Sequence, residues 1–180
     1  MASDYLLELE GIKGESQDSK HKECIEIDSF QWGFTNAGSM GRGTGGGTGK
    51  VQFQDMHFTK TADKSTPLLV KAACTNQSIK KAVLYARKSS KGGPVDYYKV
   101  ILTDAVVSGY QSGGNAGDSS IPHDSFSLNY AKFEIEYCPQ KADGSLEGAI
   151  TAIGGLDRAL DPFRRQREIR SAREVSWQRL

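Results

Sequence analysis

Residues 24–34 read Cys24-Ile-Glu-Ile-Asp-Ser-Phe-Gln-Trp-Gly-Phe34. Ile25 and Ile27 occupy odd positions, whereas Phe30, Trp32 and Phe34 occupy even ones. Alternation with period two marks a strand with one buried face. A change of phase within such a strand needs one extra residue, so the sequence predicts a β-bulge near Asp28 and Ser29. Residues 51–60 repeat the device: Val51 and Phe53 give way to Met56 and Phe58 across Gln54 and Asp55. Two bulged strands imply a strongly curved sheet. Leu7 and Leu9 alternate with Glu8 and Glu10 in a first strand, and further strands are read at 81–87, 97–107 and 126–137. In the last of these Ala131, Phe133, Ile135 and Tyr137 stand opposite Lys132, Glu134 and Glu136. Clusters of Gly, Pro and Ser separate the runs, which points to a mainly β fold, an antiparallel barrel or sandwich.

One segment breaks the alternation. In Ser65-Thr-Pro-Leu-Leu-Val-Lys-Ala-Ala-Cys-Thr75 a Ser or Thr cap precedes Pro67, whose missing N–H costs nothing at a first helical position. The sequence predicts one α-helix over about 67–74. Leu68, Leu69, Ala72 and Ala73 give it an apolar face, which must cover an open end or side of the sheet. The other segments are loops: seven of the twelve residues 38–49 are glycine, and a second loop at 108–121 holds Gly109, Gly113, Gly114 and Gly117. Beyond about Gly144 the alternation stops.

The chain has 180 residues with 23 basic and 22 acidic side chains, a formal net charge of +1. That length suits one domain with a real core that needs no staples. The balanced charge lacks the basic footprint of a general nucleic-acid binder. Cys24, Cys74 and Cys138 are odd in number and widely spaced, and His21, His57 and His123 are scattered, so neither a disulfide framework nor a metal site is indicated. An acidic residue arrives at Asp4 before any apolar h-region forms, and no apolar run is long enough to span a bilayer. The expectation is a protein made in the cytoplasm, with no membrane insertion, whose export would use a route that reads no N-terminal signal.

Glycine is in excess at 20 of 180 residues, against a usual share of about 7%. Gly41, Gly43 and Gly46 match G-x-G-x-x-G, but a phosphate cradle must lead into a helix, and the next segment is a strand. Gly49-Lys50 resembles the end of a P-loop, yet Val51 stands where Ser or Thr would bind magnesium. No G-x-S-x-G, H-E-x-x-H or calcium-loop pattern occurs. The sequence therefore indicates no catalytic centre and no cofactor. An extended glycine arm has no side chains to obstruct backbone pairing with another subunit, and can order on assembly.

Several blocks, in unbroken order over about residues 1–148, resemble the haemolysin co-regulated protein (Hcp) family of type VI secretion. They are Ser29-Phe-Gln-Trp-Gly33, Phe58-Thr-Lys60, Asp63-Lys-Ser-Thr-Pro67, Leu102-Thr-Asp-Ala-Val-Val-Ser108, Phe126-Ser-Leu-Asn-Tyr-Ala-Lys-Phe133 and Tyr137-Cys-Pro-Gln-Lys-Ala-Asp-Gly144. The resemblance implies a small antiparallel β-barrel of two sheets with one flanking helix. It further implies a homo-hexameric ring that stacks into a tube, with a spike protein at the tip, a contractile sheath around it and effector proteins in the lumen. The family's loop for contacts between stacked rings corresponds here to Gly38, Ser39, Met40, Gly41, Arg42, Gly43, Thr44, Gly45, Gly46, Gly47, Thr48, Gly49 and Lys50.

On the strand that holds Phe30 and Trp32, Gln31 should point away from the core, which makes it the candidate lumen residue in contact with cargo. The departure from the family lies in residues 149–180, an arginine-rich extension expected to be disordered or helical. Residues 156–180 carry seven arginines against four acidic side chains, a local +3. A monomeric binding barrel that never assembles, and an enzyme with an unrecognised site, are the competing readings.

Overall fold

Ten strands and one helix form among the residues that the computed structural model describes, 3–36, 51–90, 93–114, 121–141 and 146–155. In chain order they are β1 (Ser3–Leu9), β2 (Ile25–Ile27), β3 (Ser29–Gln31), β4 (Phe34–Asn36), β5 (Val51–Phe53), β6 (Met56–Thr61), α1 (Thr66–Thr75), β7 (Ile79–Lys88), β8 (Val95–Gly113), β9 (His123–Tyr137) and β10 (Ile150–Gly155). The main sheet runs β2-β1-β7-β8-β9-β6-β3, with β10 added to β9. All its pairings are antiparallel. The strands at the two ends of this path, β2 and β3, are separated in the chain only by Asp28, whose amide donates to the Thr59 carbonyl at 2.8 Å. The path thus returns on itself as a nearly closed barrel. A second, two-stranded sheet pairs β4 with β5. The mainly β class, two sheets and single helix match the expectation.

The two phase changes are not bulges. At Asp28 the chain leaves β1, the partner of β2, and joins β6 as β3. At Gln54 and Asp55 it leaves the small sheet and enters the barrel as β6. Each interruption flips the side chains by changing the pairing partner, whereas a bulge does so within one ladder. The register shifts that do occur lie between Ala86 and Arg87 and between Val107 and Gly109.

Alternate residues fill the barrel: Leu7, Ile25, Met56, Phe58, Leu84, Val100, Leu102, Phe126 and Leu128 are buried in one cluster. The helix packs on β8 and closes one side. Leu69 and Ala72 enter the core, but Leu68, counted from sequence in the apolar face, is 40% exposed. Ser65 stands at the N-cap without bonding a helix amide; its hydroxyl donates to Asp63 instead. The C-cap is Asn76, at φ 50°, and the following Gln77 amide reaches back to Ala72 at 3.0 Å, so the last carbonyls are satisfied.

The start of the helix is tied to the barrel by buried charge. Lys60 is fully buried, and its ammonium donates to Asp63 Oδ1 at 2.7 Å, the Thr61 carbonyl at 2.8 Å and Thr66 Oγ1 at 3.1 Å. It lies 3.2 Å from Asp124 Oδ2, which also accepts from the Thr66 hydroxyl. Burial alone would raise the Asp124 pKa. The hydroxyls of Thr66, Ser112 and Tyr110 and the Lys60 ammonium outweigh it and lower that pKa. A buried ammonium is tolerable only when paired and fully hydrogen-bonded, which explains why the Phe58-Thr-Lys60 and Asp63-Lys-Ser-Thr-Pro67 blocks come together.

Alternation resumes beyond Gly144, where the sequence showed none: residues 150–155 extend the sheet at β9. Gly154 lies opposite Phe133, and a Cβ there would stand 2.5 Å from the ring. The glycine makes room for the ring, and Phe133 meets Trp32 at 5.1 Å and Phe53 at 5.5 Å between centroids. Residues 156–180, and with them most of the arginine-rich extension, lie outside the described residues.

Candidate functional site

Register decides what the barrel shows to its surroundings. On one quarter of the barrel, Gln31 pairs with His57, His57 with Ser127 and Ser127 with Gly109. The next outward row is Ser29, Thr59, Ser125 and Gln111. The row between them, Phe30, Phe58, Phe126 and Tyr110, points inward, and Phe58 and Phe126 stack at 5.1 Å. Strand alternation thus produces an outward face of hydroxyl, amide and imidazole groups with no Lys, Arg, Asp or Glu in either row. Gln31 sits on its β3 edge, exposed, as the sequence predicts.

The face is packed at its centre. Ser127 is 7% exposed, and a Cβ on Gly109 would stand 2.9 Å from its hydroxyl, so glycine at the shifted register makes room for it. Ser29 and Thr59 share a hydroxyl hydrogen bond of 2.6 Å, and Ser108 and Ser127 one of 2.9 Å. At one corner Asp55 accepts from Ser108 at 2.6 Å and from Asn129 at 2.7 Å, one oxygen each. Both carboxylate oxygens are engaged, so the corner carboxylate is held in place by neutral donors. At the other rim His123 lies 3.6 Å from Asp28.

This corner also roots the glycine arm. Gln54 donates its amide to the Gly33 carbonyl at 3.0 Å, and Tyr130 donates to the Gln54 carbonyl at 3.1 Å. From there β4 and β5 run paired, Phe34 opposite Phe53, Thr35 opposite Gln52 and Asn36 opposite Val51. Phe34 is 55% exposed at this root. The predicted ring-stacking residues, Gly38 through Lys50, lie outside the described residues.

The opposite quarter is built from charge. Residues 10–24 fold over the outer side of β1 and β7, where Leu6, Cys24 and Val83 are buried. His21 lies 4.1 Å from the Tyr85 ring and 3.0 Å from Asp96, while Arg87, 3% exposed, contacts Asp18 and Asp96. The Arg87 hydrogen bond holds the Asp18 carboxyl at about 2, helped against burial by the amides of Lys20 and His21. Burial pushes the Cys24 thiol up to about 11, so it is not a nucleophile at neutral pH. Among the described residues no three His, Cys, Asp or Glu side chains are grouped to hold a metal. No helix among them is long and apolar enough to cross a membrane.

Sequence reasoning found Gln31 and missed the rest of its face. The polar alternation of Ser125, Ser127 and Asn129 between Phe126, Leu128 and Tyr130 was visible, but which strands it would meet was not.

The model of the family described as "Type VI secretion system effector, Hcp" matches residues 6–137. Protein hcp1 of Pseudomonas aeruginosa is 38% identical over 154 residues, covering 86% of this chain and 94% of that protein. Among solved structures, a type six secretion system protein superimposes with a TM-score of 0.80 at 31% identity, covering 86% of this chain and 96% of its own. Hcp1 from Salmonella typhimurium does so with a TM-score of 0.69 at 30% identity, covering 86% and 95%.

Proposed function

The chain belongs to the Hcp family of type VI secretion proteins, and on that premise we propose that it is a subunit of the secretion inner tube. Six copies close into a ring, rings stack, and effector proteins are carried in the lumen. The observation that carries this reading is the uncharged polar face around Gln31, taken as the lumen wall. Short hydroxyl and amide groups hydrate readily and offer weak hydrogen bonds to many surfaces. Long charged side chains would instead select cargo by sign of charge. Closure into a ring requires two different faces to meet, and β10 and the β4–β5 sheet, whose outer edges pair with no other strand among the described residues, offer backbone for it.

Residues 38–50, which lie in the sequence between the paired strands β4 and β5, are assigned to contacts between stacked rings. A spike protein at the tube tip and a contractile sheath around it complete the partners. The protein leaves the cell through this apparatus. Holding cargo in this way uses no catalytic centre and no cofactor.

Light scattering with electron microscopy tests the assembly: six copies of the 19.6 kDa chain give a ring of about 118 kDa, and a strict monomer at high concentration overturns the proposal. Deleting residues 41–47 should leave single rings and abolish tubes, so tubes that persist would take stacking away from the arm. Gln31→Arg should keep rings intact and lower retention of co-expressed effectors; unchanged retention removes Gln31 from the cargo contact.

A further inference from the structure

The arginines of residues 156–180 have no role in the reading above. Five of them, Arg164, Arg165, Arg167, Arg170 and Arg173, fall within ten residues whose only acidic side chain is Glu168. The barrel carries a groove of opposite charge. A cleft of about 600 Å³ opens between β1, β2 and residues 16–18, with Asp4, Asp18, Glu26 and Asp28 on its walls and Arg87 beneath. Leu6 pairs with Glu26 and Tyr5 with Ile27, which puts Glu26 on the side of the sheet away from the core, and Asp4 and Asp28 line the same cleft. Asp18 is neutralised by Arg87, and among the described residues the one cationic group near Asp28 is His123 at 3.6 Å. Asp4 and Glu26 form no ion pair among the described residues. Like charges gathered in one cleft repel, and a cationic segment laid between them would relieve that.

We propose that segment 164–173 docks in this cleft of its own chain, its guanidinium groups pairing with Asp4, Glu26 and Asp28. Arginine suits the task because its planar fork engages carboxylates two bonds at a time. The chain reaches. Gly155 pairs with Lys132, Lys132 with Thr103 and Thr103 with Lys81, whose carbonyl accepts from the Glu10 amide. Gly155 is therefore in the row of Glu10, four strands away, and Asp4 lies six residues along β1 from that row. At about 4.8 Å between strands and 3.3 Å per residue the gap is about 28 Å. The nine residue steps from Gly155 to Arg164 span up to about 30 Å, and the following arginines arrive with slack. No second copy is needed, and the docking does not depend on ring assembly.

Limited trypsin digestion of the full chain, followed by mass spectrometry, reads the docking directly, because every docked arginine is a cleavage site. At low salt the sites at 164–173 should be cut slowly. The variant Asp4→Asn/Glu26→Gln/Asp28→Asn, its fold checked by circular dichroism, should lose that segment at least about fivefold faster, since cleavage follows the undocked population. Added salt of about 0.5 M should accelerate the wild type likewise, relative to a free peptide of residues 156–180 cut under the same conditions. Equal rates for variant and wild type overturn the proposal. Protection that grows with protein concentration overturns the same-chain assignment in favour of a second copy. Protection that appears only with added duplex DNA overturns it in favour of nucleic acid.

Discussion

Across β3, β6, β9 and the end of β8 the outward rows are Gln31, His57, Ser127 and Ser29, Thr59, Ser125, Gln111; across β1, β7 and the other halves of β8 and β9 they include Leu6, Tyr85, Lys99 and Glu136. Both quarters belong to one sheet and share its alternation. On the charged quarter Tyr85 donates to Glu8 at 3.0 Å, Lys99 meets Glu136 at 3.1 Å and Arg87 clamps the covering residues 10–24. On the neutral quarter charge is displaced inward: Lys60 lies on β6, one residue after Thr59, and its ammonium is buried with Asp124 on the inner side. A face can be free of charge without losing the ionic links that fix its strands, provided those links face the interior. The two quarters therefore differ in what their charges do: inside the neutral wall they hold the fold, and on the charged wall they hold a surface cover.

The comparison makes the interior link the more costly to break. Lys60→Met should lower stability by roughly 3–5 kcal/mol, because it leaves the buried Asp124 and the half-buried Asp63 without their cation. Urea unfolding, followed at a protein concentration where single subunits dominate, measures it. Adding Asp63→Asn and Asp124→Asn to Lys60→Met should recover part of the loss, since no buried charge then remains unpaired. A loss below about 1 kcal/mol for Lys60→Met would put the link on a par with an exposed ion pair and erase the contrast between the quarters.

Much of this was legible in the residues and some was not, for identifiable reasons. Strand positions, the helix and the outward direction of Gln31 follow from local alternation and capping, which depend on near neighbours in sequence. The phase changes at Asp28 and at Gln54 and Asp55 were visible, but a change of partner and a bulge produce the same local pattern, and only the ladder distinguishes them. The neutral face was hidden because its rows join residues 31, 57, 127 and 109, which no window of sequence brings together. Lys60 reads as a surface lysine until Asp124 is placed beside it. The strand β10 escaped because Ile150-Thr-Ala-Ile-Gly-Gly155 ends in two glycines, which read as a turn; their small size in fact admits the Phe133 ring and the close approach of β9.

The smallest effect belongs to the charged quarter, and pH brings it out. The Arg87 guanidinium, first among the causes, holds the Asp18 carboxyl at about 2 against an ordinary 3.8. A carboxyl whose pKa is depressed on folding binds its proton more readily in the unfolded chain. Its contribution is therefore complete above about pH 4 and is lost as the pH falls through 2. Asp18→Asn removes that contribution at every pH, so the variant should be less stable than the wild type at pH 7 and the gap should close between about pH 4 and 2. The gap at pH 7 should stay under about 1 kcal/mol, because the Asp18 side chain is 23% exposed and water screens the pair. Urea midpoints for the two proteins across that range decide it. A gap that stays constant down to pH 2 would mean that Asp18 holds the cover by shape and amide hydrogen bonds, with the Arg87 charge playing no part.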